Sequence, residues 1–264
     1  MKFVTGLIAA MVIVAPAPVL AQSAFDGTWK GDVASAQLPS KPWVRSLKDG
    51  VYSCECDTPL SVKADGQWHP VTGQSYFDEM RITVVDPRTL KTESRKGGKL
   101  VFEGVDTISA DGMTNDWSNV DYTAQTGQVV RTKGRDKRAG ALPGKGLHMV
   151  NGGWVAMIDG YETDSAALTF TFKSVPGGMS LTTATGQSYT AMFGGPAVTM
   201  QGDPGNTQIT LRKISDTSFE ETDSREGKVR SVTTYVASPD GKTLDMTFFN
   251  PIQNTTGRYK AIRQ

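Results

Sequence analysis

Cysteine, histidine and leucine are scarce in this chain. Its 264 residues hold two Cys, two His and 13 Leu. Two His and two Cys leave little room for a zinc site or a His-based triad, and neither a metal nor another cofactor is expected. The shortage of Leu argues against a helical bundle, because helices are built largely from Leu, Ala, Glu and Lys. Charge of one sign is also missing: 28 Lys and Arg stand against 27 Asp and Glu. That balance leaves no electrostatic footprint for nucleic acid. After residue 21 no run approaches 18 apolar residues, so no membrane span is expected. What is abundant is Gly, at 28, and Thr, at 30. Thr is β-branched and suits a pleated surface. With 38% hydrophobic residues, disorder is excluded by composition.

Residues 1–21 read as a secretory signal of bacterial type. Lys2 forms the positive end, Phe3 to Val14 the apolar stretch, and Val19-Leu20-Ala21 the cleavage site, with a cut after Ser23 as the alternative. The apolar stretch is too short to span a bilayer. No Cys follows the cut, so no lipid anchor is expected. The expected location is the periplasm or the extracellular space. Removal of the signal leaves a net charge of zero.

Two halves of the chain carry one pattern. Asp86 to Lys99 lies on Ser215 to Lys228 at an offset of 129, so that Leu90 meets Phe219 and Gly98-Lys99 meets Gly227-Lys228. Asp111-Gly112 then meets Asp240-Gly241. Upstream, Ala64-Asp-Gly-Gln67 meets Ala184-Thr-Gly-Gln187, and Asp26-Gly-Thr-Trp29 meets Asn151-Gly-Gly-Trp154. At the far end Thr126-Gly127 meets Thr256-Gly257. The order is preserved and the offsets stay between 120 and 130. The expected domains are therefore 24–133 and 150–264. Residues 134–149 would be a linker, rich in Gly and basic residues and without apolar periodicity.

Within each half the signal is strands and tight turns. Met80, Ile82 and Val84 alternate with Arg81 and Thr83. Leu168, Phe170 and Phe172 alternate with Thr169 and Thr171, and Leu244, Met246 and Phe248 continue the theme. Period two marks a strand with one dry face. Asp49-Gly50, Asp65-Gly66, Asp111-Gly112 and Asp240-Gly241 supply residues that tolerate positive φ, as two-residue hairpins require. No stretch after residue 21 has a convincing helical period. The reading is all-β, with two tandem antiparallel barrels.

Each half opens with Gly-x-Trp, at Gly27-Thr28-Trp29 and Gly152-Gly153-Trp154. Each closes with a strand carrying a cation: Arg258 to Arg263 aligns with Gln128 to Lys133, which sets Arg263 against Lys133. Here the chain resembles the lipocalin-like barrels of the calycin superfamily, which open with a Gly-x-Trp strand and lay a basic side chain from the last strand across that Trp. The resemblance covers these motifs at the ends of each half. It implies that Trp29 is closed by Lys133 and Trp154 by Arg263. A cation over an indole is worth up to about 2 kcal/mol when desolvated. The chain also resembles uncharacterised secreted bacterial proteins that begin Phe-Asp-Gly-Thr-Trp-Lys, a group that brings no established activity with it.

Few residues suggest chemistry. Cys54 and Cys56 flank Glu55 on one face of a strand, at the edge of what a disulfide bridges. An oxidising compartment favours the bond; a redox pair, a two-thiolate metal site and two free thiols are the alternatives. Trp43, Trp68 and Trp117, with His69 beside Trp68, are the candidates for a ligand pocket, or else belong to core and rim. His148 reads as structural. Glu220 to Arg225 is a dense acidic stretch, read as a solvated face. Asn254-Thr-Thr256 matches a glycosylation sequon that a bacterial protein has no use for. Three functions compete. The first is the binding of a small hydrophobic ligand in a barrel cavity or between domains. The second is a structural or interaction role in the cell envelope. The third is cofactor-free hydratase, isomerase or lyase chemistry on a lipocalin-like scaffold. A monomer or weak dimer is expected.

Overall fold

The computed structural model describes residues 23–264 except Asp57. The expected signal at 1–21 lies outside the described residues. Strand makes up 62% and helix 2%. The first strands are β1 (Gly27–Gln37), β2 (Trp43–Lys48), β3 (Val51–Cys54), β4 (Leu60–Lys63) and β5 (Trp68–Pro70). Next come β6 (Glu79–Asp86), β7 (Thr89–Lys96), β8 (Lys99–Ile108), β9 (Thr114–Asp121), β10 (Val130–Ala139) and β11 (Gly152–Thr163). After the one-turn helix α1 (Ser165–Leu168) follow β12 (Thr169–Val175), β13 (Gly178–Thr183), β14 (Ser188–Met192), β15 (Val198–Thr199) and β16 (Gln208–Ser215). The last are β17 (Ser218–Arg225), β18 (Lys228–Ala237), β19 (Thr243–Asn250) and β20 (Thr255–Arg263).

The strands form two ten-stranded antiparallel sheets, each curled into a nearly closed barrel. One runs β4-β3-β2-β11-β10-β9-β8-β7-β6-β5, the other β14-β13-β12-β1-β20-β19-β18-β17-β16-β15. Each strand of the first has its counterpart ten places later in the second, with one exchange. The opening strand β1 sits in the second barrel, between β12 and β20, and β11 takes the matching place in the first. The barrels are thus not the consecutive blocks 24–133 and 150–264. A strand is held by what it pairs with, and β11 turns back beside β10 as an antiparallel neighbour, the usual outcome for consecutive strands. The expected linker is partly strand as well, since β10 runs to Ala139.

Closure across the last gap is partial in both barrels. In the second, Ser188 and Gln201 exchange backbone bonds of 3.1 and 2.7 Å, and Gly194 donates to Leu211 at 2.8 Å. In the first, the Gly66 amide reaches the Ile82 carbonyl at 3.0 Å. Alternation decides the faces: Met80 and Ile82 are buried between half-exposed Arg81 and Thr83, and Leu244 and Met246 between exposed Asp245 and Thr247. The β7–β8 and β17–β18 hairpins turn at Gly97-Gly98 and Glu226-Gly227, with positive φ at all four positions. Those are the positions at which the repeat aligned.

The two indoles are built alike. Trp29 and Trp154 are fully buried, and each donates its Nε1 proton at 2.8 Å to the carbonyl four residues earlier, Phe25 and Val150. The Arg263 guanidinium lies 4.2 Å over Trp29 and donates to the carbonyls of Ala24, Asp26 and Gly241. The Arg138 guanidinium lies 4.2 Å over Trp154 and donates to the carbonyls of Gly112, Met149 and Asn151. The first closing cation is therefore Arg138, not Lys133, and the pairs are Trp29 with Arg263 and Trp154 with Arg138. Lys133 is exposed and pairs with Glu162 at 3.0 Å. The misalignment has a plain cause. The β9–β10 connection is longer than β19–β20, so Thr126-Gly127 lies in a loop whereas Thr256-Gly257 lies in β20.

Candidate functional site

An open cavity of about 720 Å³ occupies the first barrel. Trp43, Leu60, Phe77, Met80, Trp117 and Ala156 supply its apolar lining. One wall is polar, made by Arg45, Tyr52, Asp106 and Asp136. Period two explains the convergence. In β2 the inward positions are Trp43, Arg45 and Leu47. In β10 they are Gly134, Asp136 and Arg138.

Arg45 is the centre of that wall and is 2% exposed. Its Nη1 donates to Asp106 Oδ1 at 2.7 Å, and its Nη2 stands 4.0 Å from Asp136 Oδ2. Asn115 Nδ2 donates to both carboxylates, at 2.7 and 3.2 Å, and the Trp117 indole N–H donates to Asp136 at 3.2 Å. The guanidinium is stacked between two rings, 4.5 Å from Trp43 and 5.5 Å from Trp154. Burial opposes its charge, but Asp106, with help from Asp136, carries its pKa above the ordinary arginine value. Burial pushes the Asp136 carboxyl up, against bonds from Asn115 and Trp117 and the pull of Arg45. Burial also raises the Tyr52 phenol beside Arg45. Two of the guanidinium's donors, Nε and Nη2, have no hydrogen-bond acceptor among the described residues.

The second barrel is filled where the first is hollow. By sheet register, Arg45 corresponds to Phe172, Asp106 to Tyr235 and Asp136 to Ala261. Phe219 and Tyr235 stack at 4.7 Å, with Phe172 edge-on to both. Its polar centre is different too. Glu221 and Asp223 stand where the first barrel has Thr92 and Ser94. The acidic stretch is thus not a solvated face throughout. Glu220 points out to Arg212 at 2.8 Å, whereas Glu221 is buried and accepts the Tyr189 hydroxyl. Burial pushes the carboxyls of both Glu221 and Asp223 up; Asp223 raises Glu221 further, whereas Arg225 and the bond with Glu221 hold Asp223 back. The pockets of this barrel lie toward its ends. One of about 690 Å³ lies among Phe25, Met179, Phe193 and Phe219 beside the β12–β13 and β16–β17 turns, and one of about 310 Å³ sits among Val33, Leu38, Ile158, Tyr161, Phe170 and Tyr259, where β1 meets β11 of the first barrel.

Of the residues expected to bind a ligand, Trp43 and Trp117 meet at the cavity. Trp68 and His69 do not line it. Trp68 lies on the outer face under the guanidinium groups of Arg81 and Arg95, at 4.8 and 4.4 Å, and His69 bonds to Asp65 at 2.7 Å. His148 is buried and receives the Val150 amide at 3.1 Å, and burial lowers its pKa. Cys54 and Cys56 are joined as a disulfide, with Cα atoms 5.3 Å apart, and both line the cavity. Arg45, Tyr52, Asp106 and Asp136 were not singled out from sequence. The available signal was Arg45 itself, a cation two residues from Trp43 and two from Leu47 on the dry side of a strand.

Fold and site together define a two-barrel β protein in which the first barrel has a polar-walled cavity and the second is packed with aromatic rings at its centre and hollow toward one end. Compared with protein-family models, curated proteins and solved structures, the chain matches none of them.

Proposed function

We propose that this chain is an exported carrier, in which the first barrel holds a small, mostly apolar ligand and the second serves as a rigid support. The observation that carries the reading is the cavity of about 720 Å³, in which Trp43, Leu60, Phe77, Met80 and Trp117 supply most of the exposed surface beside the Arg45, Asp106 and Asp136 wall and scattered hydroxyl and amide side chains such as Thr92, Gln74 and Asn119. Ligand sites of about 300–1,000 Å³ have that composition. The lipocalin-like resemblance in the Gly-x-Trp strands agrees with it, and the pattern at residues 1–21 supports a periplasmic or extracellular location. A cofactor-free acid–base enzyme is the second reading, favoured by the raised pKa of Asp136 beside the cavity. It ranks lower because both Asp136 oxygens already accept bonds and the side chain is 4% exposed.

Titration with N-phenyl-1-naphthylamine, a neutral probe that fluoresces in apolar surroundings, tests the carrier reading. Saturable binding at one site is expected, lost in Thr92→Phe, which grows a ring into the cavity at the position where the second barrel has Glu221. No saturable binding, or equal binding by the variant, overturns it. Export is tested by N-terminal sequencing of the product from a bacterial host, expected to begin at Gln22.

A further inference from the structure

Arginine grips a planar acceptor best with the parallel donors on its Nε–Nη2 edge. Three arginines of this chain do so. Arg81 holds Glu93 at 2.7 and 2.5 Å, Arg95 holds Glu79 at 2.6 and 2.7 Å, and Arg212 holds Glu220 at 3.1 and 2.8 Å. Arg45 has the same edge and, among the described residues, no hydrogen-bonded acceptor on it, with Asp136 Oδ2 at 4.0 Å from Nη2 and the Tyr52 phenol nearby, although it is far more buried than any of the three. Leaving a buried donor of a charged group unmatched costs about 1–3 kcal/mol or more. The second barrel avoids the cost with Phe172 at that position. The unmatched edge lies beside the first-barrel cavity, and of the two rings near the guanidinium, Trp43 is the one that lines the cavity.

The surrounding charges decide what kind of acceptor fits. Arg45 is already neutralised by Asp106, and Asp136, joined to Asp106 through the Asn115 amide, stands 4.0 Å from its Nη2. A carboxylate on the open edge would bring a further negative charge against those two. A carbonyl oxygen would fill the edge without that repulsion. Asp106 also keeps one oxygen, Oδ2, without a hydrogen bond among the described residues, while Oδ1 takes both Arg45 and Asn115. Its side chain is 18% exposed. An N–H next to the carbonyl would have that oxygen to donate to. We propose that the cavity selects ligands with an apolar body and one uncharged amide-type head, a carboxamide, lactam or urea. Its carbonyl is received by Nε and Nη2 of Arg45, its N–H by Asp106, and the Trp43 indole swings aside to admit it. This rests on the carrier reading and narrows it.

The test compares probes of equal length on the full chain at pH 7.5: decanamide, decanoate and decylammonium, by calorimetry and by tryptophan fluorescence. Decanamide is expected to bind about tenfold or more tighter than either charged probe and to change the fluorescence. In Arg45→Met the preference for decanamide over decanoate and decylammonium should vanish, and Asp106→Asn should weaken decanamide more than decanoate. Decanoate binding as well as or better than decanamide overturns the proposal and marks an anion site; tighter decylammonium overturns it in favour of a cation site. Three equal affinities overturn it as well, leaving an apolar cavity without head-group selection. Failure of the dye and all three probes overturns the carrier reading itself. The ranking on the unmodified chain does not depend on either variant folding.

Discussion

Replacing Arg138 by Met should unfold the chain far more easily than replacing Lys133, although both are cations on β10. Arg138 is buried and its three donating nitrogens satisfy the carbonyls of Gly112, Met149 and Asn151. Each orphaned buried carbonyl costs about 1 kcal/mol or more, and the lost contact with Trp154 adds up to about 2 kcal/mol. Part is returned, because the buried charge no longer has to be desolvated; that penalty, with the nearby charge of Arg45, is what lowers the Arg138 pKa. The net expected loss is about 3–4 kcal/mol, or roughly 6–15 °C in Tm for a chain of this size. Lys133 is 58% exposed and its partner Glu162 is 68% exposed, so Lys133→Met should stay within about 0.5 kcal/mol. Urea unfolding followed by tryptophan fluorescence, with thermal unfolding by circular dichroism, measures both. A loss below about 1 kcal/mol for Arg138→Met, or an equal loss for Lys133→Met, would refute the assignment of Arg138 as the cation that closes the first barrel.

Two further outcomes follow from the buried acids and from the strand exchange. In the folded chain Glu221 is pushed up to about 8 and Asp223 to about 6, whereas in the unfolded chain they titrate near 4.5 and 3.8. The folded state therefore holds the extra protons. Stability from this pair is complete below about pH 4 and declines as pH rises through about 8, at about 1.4 kcal/mol per pH unit for each proton. Glu221→Gln should flatten that decline between pH 5 and 8.5 in urea midpoints; an unchanged slope would rule the pair out as its source. Residues 38–164 contain β2 to β11 without interruption and should fold alone, whereas 24–149 lacks β11 and should not yield a stable monomer. Amide exchange on the two fragments checks this, and a well-protected monomeric 24–149 would contradict the exchange.

The all-β class was legible because apolar alternation and Asp-Gly turns are local signals, as at Met80-Ile82 and Asp49-Gly50. The exchange was not. A repeat tells which strands are alike, not which copy a strand completes, and Trp29 finds an arginine in either arrangement. Strand β10 was hidden for a different reason. Its inward positions Gly134, Asp136 and Arg138 are not apolar, and its outward positions Arg131, Lys133, Arg135 and Lys137 are all basic. Past Val130 there is no dry face, the period-two signal disappears, and the strand reads as ending at Lys133 with the rest taken for a linker. The same cause concealed half of the site. Trp43 and Trp117 announce themselves as aromatics, but Arg45, Asp106 and Asp136 are polar residues at buried positions, which hydropathy assigns to solvent. Glu221 and Asp223 were lost in the same way, alternating with outward-facing Glu220 and Thr222.

The place of β1 also sets the order of events while the chain is being made. Its hydrogen-bonding partners are β12 and β20, so the first strand to leave the ribosome has to wait for the last one. Until β12 emerges both edges of β1 stand open, and until Arg263 emerges Trp29 lacks its cation and the edge that pairs with β20 stays open. A nascent chain that stops short of β20 would keep one complete barrel and one permanently sticky strand. Strand β20 thus acts as the clasp of the second barrel, holding the strand that stands farthest from it in the chain.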